Sequence, residues 1–379
     1  MVWNILRLML TRGLTMKRWN NFPRIEDVSH LDNVWFVVHV ALFLAYLEEK
    51  SGNKIDREFL VKRIIFNSFS RLILSDINSG TRDYILKVDD SIFDKLEKKA
   101  FDYILWFDWP EYLKIDIRKT IFDNTKTLEL SIIDASKKYA WFMECSVNSK
   151  VFSDMYDVPL NQIRHDLEEK RKTLKSLDLL WNNENYKKYL THIRRLSHSM
   201  RWNQQNRIYP ISVMSHLVVI TFISYIIWMI ENNNGWNYDI QDLILRTIYH
   251  DIPEAITGDI ITPTKKAVEW FEQVLEQVEI QMMDDYIFSY VDENYKAEVS
   301  WYMLYPFEWQ IWHQAKYADI LSALFEAKVE SNFWSEAFEE IYRNVKKKVN
   351  MFWTTSVDYM LKNVLDSFNE KWIDIHLGR

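Results

Sequence analysis

Two stretches interrupt the mixed polarity of this chain: WFVVHVALFLAYL, from Trp35 to Leu47, and LVVITFISYIIWMI, from Leu217 to Ile230. At 13 and 14 residues they fall short of the roughly 18 that a bilayer crossing needs. Apolar on every face, they predict helices buried on all sides within a core. Only 6 Gly and 7 Pro are available for turns, too few for an all-β sandwich or barrel, so the pattern predicts long helices with short connections. With 48% hydrophobic and 15% aromatic residues, a chain of 379 residues can fill two cores.

The two apolar runs are related. Laying Arg18-Trp19-Asn20 over Arg201-Trp202-Asn203 and continuing without a gap puts Val34–Leu47 over Leu217–Ile230. The flanks agree, Arg24-Ile25 with Arg207-Ile208 and Ser29 with Ser212. Gly52, Asp56, Leu60, Arg63, Asp76-Ile77 and Thr81 find the same residues at Gly235, Asp239, Leu243, Arg246, Asp259-Ile260 and Thr264. Between Arg18 and Thr81, 16 of 64 positions are identical. A period this long, close to half the chain, means a duplicated domain, since solenoid repeats are far shorter. The expected units are residues 1–180 and 181–379, joined through a charged helical stretch broken near Asn182-Asn183 with no Gly/Ser spacer.

A formal charge of −7 argues against binding long nucleic acid, which asks for a basic face. It leaves room for a local basic pocket for one phosphate. A lone cysteine, Cys145, allows neither an intrachain disulfide nor a cysteine zinc site. With no targeting segment standing out at the N-terminus, the expectation is a cytoplasmic protein without a membrane partner.

Chemistry gathers in the second copy. His250-Asp251 stands near the end of a predicted helix, His216 precedes it at the head of the apolar helix, and Asp319 follows in another helical stretch, KYADILSALFEAKVE. Two imidazoles and two carboxylates can hold a divalent metal and leave positions for water and substrate, with Mn, Co, Fe, Zn or Mg all compatible. Glu254 follows Asp251 by three and His250 by four, which on a helix is the same face, where it could orient or protonate a reacting group. Thr257-Gly258-Asp259 predicts a helix stop with Gly in the left-handed region, and Pro263 is expected to prevent the helix from resuming.

In this order the residues resemble the HD-domain phosphohydrolases, and more closely the bacterial 5'-deoxyribonucleotidases (YfbR-like). The resemblance rests on Arg201-Trp202, Ser215-His216, HDIPEAITGDIITPTK from His250 to Lys265, and Asp319 in AKYADILSALFEA. It implies one divalent metal, Co or Mn with Zn, Fe or Mg as alternatives, held by His216, His250, Asp251 and Asp319. It implies Glu254 as the catalytic carboxylate, Arg201 on the substrate phosphate, Trp202 and Asp259 on the deoxyribose, and Lys265 assisting with phosphate charge. The fold it implies is all-α: two tandem HD-domain bundles packed as an internal pseudo-dimer. The activity it implies is removal of the 5'-phosphate from a deoxyribonucleoside monophosphate. A dNTP triphosphohydrolase and a non-catalytic nucleotide-binding regulator are the alternatives, and self-association of whole chains is compatible with each.

The first copy, read in the same register, replaces the chemistry. His216 is matched by Asn33, His250 by Asn67, Asp251 by Ser68, Glu254 by Arg71 and Asp319 by Ser136, while Arg18, Trp19 and Asp76 retain the residues that would face substrate. Inherited packing or a pocket that holds a nucleotide without cleaving it would each account for that retention.

Overall fold

The computed structural model describes residues 4–74, 77, 79–106, 109–260, 262–265, 267–308 and 311–369. Among these the regular elements are helices, and the only bridge pairs among the described residues are two isolated antiparallel ones, Lys17 with Ser29 and Met200 with Ser212, themselves counterparts under the repeat.

Six helices position everything that follows: α1 (His30–Lys50), α2 (Arg57–Ile73), α3 (Thr127–Ser149), α4 (Val213–Asn233), α5 (Ile240–Tyr249) and α6 (Trp312–Ser331). The same local signals start and stop them in both halves. Ser29 and Ser212 cap α1 and α4 by accepting from the backbone N–H of Asp32 and Ser215, at 3.1 and 2.9 Å. Gly52 and Gly235, at φ +93° and +94°, turn the chain after those helices, a conformation that disfavours any side chain. Asp56 and Asp239 then cap α2 and α5.

At 21 residues each, α1 and α4 are longer than the apolar runs that announced them, and by length and composition either could cross a membrane. Their apolar windows are instead 94% and 89% buried within the protein. Each packs against the helices that follow it in its own half, α1 on α2 and α3, α4 on α5 and α6, and the two pack against each other. One hydrophobic cluster therefore runs through both halves. The charged stretch between them forms Lys175–Asn182 and Glu184–Ile193, broken at Asn183, whose side chain caps the second helix. Late helices close each half alike: the N–H groups of Ser176 and Ser356 donate to Glu48 and Glu231 near the ends of α1 and α4, both at 2.8 Å.

The halves meet as a pseudo-dimer whose seam is mostly aromatic. The Trp35 indole donates to the Ile248 carbonyl at 3.2 Å, His39 bonds Tyr189 at 2.9 Å, and Phe69 meets Phe222 edge-on at 4.9 Å. Among the polar contacts across this seam is a knot around Asp32. Asp32, buried, accepts from the Ser29 N–H at 2.8 Å and from the hydroxyls of Ser212 and Ser215 in the other half. The Ser29 and Ser215 hydroxyls lie 3.0 Å apart. Asp32 and Ser215 are counterparts under the repeat, so the knot is asymmetric: two copies of the first half would oppose two buried aspartates.

A buried carboxylate with three donors is costly to delete, because the donors lose their acceptor. Asp32→Ala is expected to lower the unfolding free energy in urea by about 2–4 kcal/mol. A change below about 0.5 kcal/mol, the scale of an exposed ion pair, would show that the knot does not join the halves. The apolar seam also implies that residues 181–379 produced alone will self-associate or aggregate rather than remain a soluble monomer in analytical ultracentrifugation.

Candidate metal centre

The site is assembled where a short loop folds back beside the start of α4. The bridge between Met200 and Ser212, with Arg201 N–H donating to Ile211 O at 3.0 Å and Val213 N–H to Ser199 O at 2.8 Å, pins Arg201-Trp202 there. Trp202 sits at φ +57°, a strained conformation for a bulky residue. Its indole N–H donates to Glu326 Oε2 at 2.8 Å, which holds it in place.

His216 lies in the first turn of α4 and is fully buried. Its Nδ1 is 2.8 Å from Glu326 Oε1 and 3.2 Å from the Ser322 hydroxyl. A carboxylate only accepts, so Nδ1 carries the proton and Nε2 presents its lone pair, the arrangement that second-sphere carboxylates impose on metal-ligating imidazoles. That Nε2 is buried without a hydrogen-bond partner and stands 3.4 Å from Asp319 Oδ1.

The His250-Asp251 pair is presented by a helix that stops. α5 ends at Tyr249, and Pro253 lies just beyond, where a proline cannot continue an i to i−4 ladder. His250 Nδ1 faces the Thr247 carbonyl at 3.1 Å, so again Nε2 is left as the ligand nitrogen. It lies 3.2 Å from Asp251 Oδ1. Ligand atoms of His216, His250 and Asp251 lie within 4.8 Å of one another, and Asp319 adjoins them through His216.

Glu254 reaches the same place by a route other than the continuous helical face expected from its spacing. The chain turns through Asp251–Pro253 and a new turn of helix, Glu254–Thr257, begins at Glu254, whose N–H donates to Asp251 O at 3.0 Å. Two neighbouring expectations also change. Gly258 has positive φ but extended ψ (+76°, 166°) instead of a left-handed helical pair. Pro263 does not stop the helix from resuming: Thr262–Lys265 forms one turn, since in a first turn the missing N–H breaks no helix bond.

Charge in the site is unbalanced toward carboxylate. Burial, then the charges of Asp251 and Asp259, push the Glu254 carboxyl well above its ordinary range, and its Oε2 is buried without a hydrogen-bond partner. Burial raises Asp259 as well, against the pull of Arg201. For Asp251, burial is outweighed by His250 and Arg201, which hold it down at about 2. Asp319 is likewise held far below its ordinary value despite burial, by the adjacent His216 ring and by Lys316, whose Nζ is 2.9 Å away. Arg201 lies among these acids, 3.7 Å from Asp251 and 3.8 Å from Glu326, with its Nε making no hydrogen bond. Buried imidazole lone pairs, clustered carboxylates and an orphaned carboxylate oxygen are a donor set that fits a divalent cation. Thus His216, His250, Asp251, Asp319, Glu254, Arg201 and Trp202 share one neighbourhood. Asp259 and Lys265 flank it, each exerting charge on Glu254.

Sequence reasoning missed the acids beneath the site. Glu326 and Glu330 lie on α6 with Asp319 and Ser322, at spacings of three, four and four that make one helix face, a signal present in the sequence. Glu330 accepts from the N–H groups of Ile208 and Tyr209, both at 2.9 Å, and from Arg207 at 3.3 Å, tying down the loop that carries Arg201-Trp202.

The same frame corrects the repeat. In the first half, Glu144 accepts from Trp19 Nε1 at 2.9 Å and from Asn33 Nδ2 at 2.8 Å, with Arg18 Nε at 3.6 Å. These are the contacts Glu326 makes with Trp202, His216 and Arg201. Asn148 accepts from Ile25 N–H, as Glu330 does from Ile208. On α3 and α6 the register between the copies has therefore slipped by one position. Lys137, not Ser136, is the counterpart of Asp319; Ser136 is fully buried and bonds back to Ile132 O. Asp76 lies outside the described residues.

Comparison with known proteins agrees with the duplication. The YfbR-like 5'-deoxynucleotidase family matches twice, at residues 7–181 and 188–368. A 5'-deoxynucleotidase of Photobacterium profundum is 21% identical over 185 residues, 48% of this chain and 94% of its own. One from Photorhabdus laumondii is 23% identical over 202 residues, 50% of this chain and 96% of its own. Among solved structures, an HD-domain phosphohydrolase from Listeria innocua is similar at 22% identity and a TM-score of 0.43, covering 48% of this chain and 87% of that one. Matched twice, along nearly its whole length, the chain belongs to the YfbR-like 5'-deoxynucleotidase family as a tandem duplication.

Proposed function

We propose that the second half hydrolyses the 5'-phosphate of deoxyribonucleoside monophosphates with one divalent cation, held by His216, His250, Asp251 and Asp319. The observation that carries this reading is the pair of buried imidazoles whose Nδ1 atoms are both committed, to Glu326 and to Thr247 O, so that both Nε2 atoms are left as ligands beside Asp251. Membership in a phosphohydrolase family supports it. When bound, a divalent cation supplies Lewis acidity toward phosphoryl oxygen and toward water.

The protein's own groups do the remainder. Arg201 is held near its neighbours by charge at 3.7 and 3.8 Å and so retains donors for the non-bridging phosphate oxygens, where a guanidinium binds in bidentate fashion. Glu254, the carboxyl with the raised affinity for a proton, exchanges protons with the attacking water and the departing 5'-oxygen. A water oxygen bonds to phosphorus, the bond from phosphorus to the 5'-oxygen breaks, and the water proton ends on the leaving alcohol by way of Glu254. Trp202, fixed by its bond to Glu326, presents an indole against which a 2'-hydroxyl would be crowded, and Asp259 offers an acceptor for the 3'-hydroxyl. Lys265 adds positive charge at the flank.

Phosphate release from dAMP in Mn²⁺ or Co²⁺ is the direct test. Asp251→Asn is expected to cut turnover by about a thousandfold or more, the scale of losing a ligand or a charge that acts in the transition state, with unchanged far-UV circular dichroism. Wild-type turnover in that variant would refute the assignment. The sugar reading is tested separately: kcat/KM for dAMP is expected to exceed that for AMP by about tenfold or more, the discrimination that steric exclusion of one small group supports. Equal values would remove Trp202 and Asp259 from sugar recognition while leaving the metal site standing.

A further inference from the structure

The helix that presents His250-Asp251 ends short of backbone donors. An α-helix satisfies the carbonyl of one residue with the N–H four residues on, but Pro253 has no N–H to give to Tyr249 O. Ile252 N–H takes that place and donates to Tyr249 O at 3.1 Å. It is thereby turned from Ile248 O, the carbonyl it would serve in a continuing helix. Ile248 is fully buried, where water cannot supply the missing donor and a bare carbonyl is costly.

The donor comes from the other half. The indole N–H of Trp35, on α1, reaches Ile248 O at 3.2 Å. Trp35 is itself fully buried and stacks on His39, one turn along, at 5.0 Å with 18° between the rings. His39 in turn bonds Tyr189 at 2.9 Å. The residue that receives the indole stands between two that bear on the site. Thr247 commits His250 Nδ1 through its carbonyl, and Tyr249, next to His250 in the chain, lies edge-on to His39 at 5.6 Å.

The opposite side of the seam lacks both the break and the donor. With Ser70 in the place of Pro253, α2 runs on to Ile73. Ile65, the counterpart of Ile248, has its carbonyl taken within the same helix by the Ser68 hydroxyl, at 2.6 Å. Val218, the counterpart of Trp35, is equally buried and carries no polar side-chain atom. An apolar side chain therefore suffices to fill that position, and packing alone does not call for an indole at Trp35. Break and donor occur together where His250-Asp251 is presented, and are absent together where it is not.

We propose that Trp35 is a positioning residue for the metal centre of the second half. Its indole N–H, given across the seam, replaces the backbone donor that the Pro253 break removes, and so holds Thr247–Tyr249 in the shape that aims His250 and Asp251. The first half thus contributes to the site without contributing a ligand. The inference rests on the reading that His216, His250, Asp251 and Asp319 hold a divalent cation.

The test is a Co²⁺ titration of the full chain, first freed of metal by EDTA, followed by calorimetry and by the d–d absorption of the bound ion. Trp35→Phe keeps an aromatic ring on His39 and removes the N–H. It is expected to weaken Co²⁺ binding by about tenfold or more, the scale on which the outer partners of metal ligands act, and to change the absorption band. Phe69→Leu is the control. It loosens the seam where α2 meets α4, at the contact with Phe222, which does not include Ile248, and is expected to bind Co²⁺ as the wild type does even if it melts earlier. Should Trp35→Phe fail to fold, benzothienylalanine at position 35 keeps the shape of the indole without its N–H. Wild-type affinity and spectrum in the variant, or an equal loss in Phe69→Leu, overturn the inference and leave the metal site standing. A wild-type chain that binds no Co²⁺ overturns the metal site itself, and the inference with it.

Discussion

Glu326 is a carboxylate with no exposure to solvent, and much of the second half is arranged around that fact. A buried charge is tolerated only when its oxygens are fully occupied, so the Trp202 indole, the His216 imidazole and the Ser322 hydroxyl are drawn onto it, with Arg201 and Arg207 close by. These groups come from three parts of the chain: the loop of residues 201–207, the start of α4, and α6 itself. The carboxylate thus fixes the tautomer of His216, the strained backbone of Trp202 and the position of Arg201 together. Displacing it would release all three. Although burial opposes ionisation, its cationic neighbours hold it ionised far below the ordinary carboxylate range, with Arg201 the largest of those neighbours.

The first half shows that this constraint outlasts the chemistry above it. Glu144 has the same partners, and Trp19 has the same unfavourable φ, +53° against +57°. Such a backbone costs on the order of 1–3 kcal/mol and persists only where surrounding bonds over-determine it. Asn33 replaces His216 yet still donates to the carboxylate, because an amide N–H serves the carboxylate as well as an imidazole N–H does. What could not be kept was the break in the helix. With Ser70 in place of Pro253, the backbone of α2 continues its ladder, and the residues at the counterparts of His250 and Asp251 lie within a regular helix instead of at its frayed end.

Much of this was legible in the sequence, and the exceptions have physical causes. The duplication, the two core helices and the order of site residues follow from an ungapped register, because caps, turns and the Arg-Trp loop tolerate no insertion. Beyond Thr81 the helices of the two halves differ in length and the register slips by one. Identity alone therefore misassigned Ser136, and only the bonds to Glu144 and Glu326 reveal Lys137. The full length of α1 and α4 was hidden because polar residues at their ends, His30 and Glu48 among them, are buried and paired, so composition underestimates the helix. Gly258 and Pro263 were misjudged for a common reason: each residue type permits more than one backbone path, and neighbouring turns selected the less expected one. Glu326 and Glu330 were visible as a face of acids along α6, but a charged face ordinarily means solvent, and nothing short of the fold shows these to be inside.

Both halves therefore share one scaffold, and only the second keeps the side chains of a metal site. The direct measurement is the metal content of the intact chain after exposure to excess Mn²⁺ or Co²⁺ and desalting, by elemental analysis. One ion per chain is expected, lost in His216→Ala and retained in Asn33→Ala. Two ions per chain, or one that survives His216→Ala, would contradict the account.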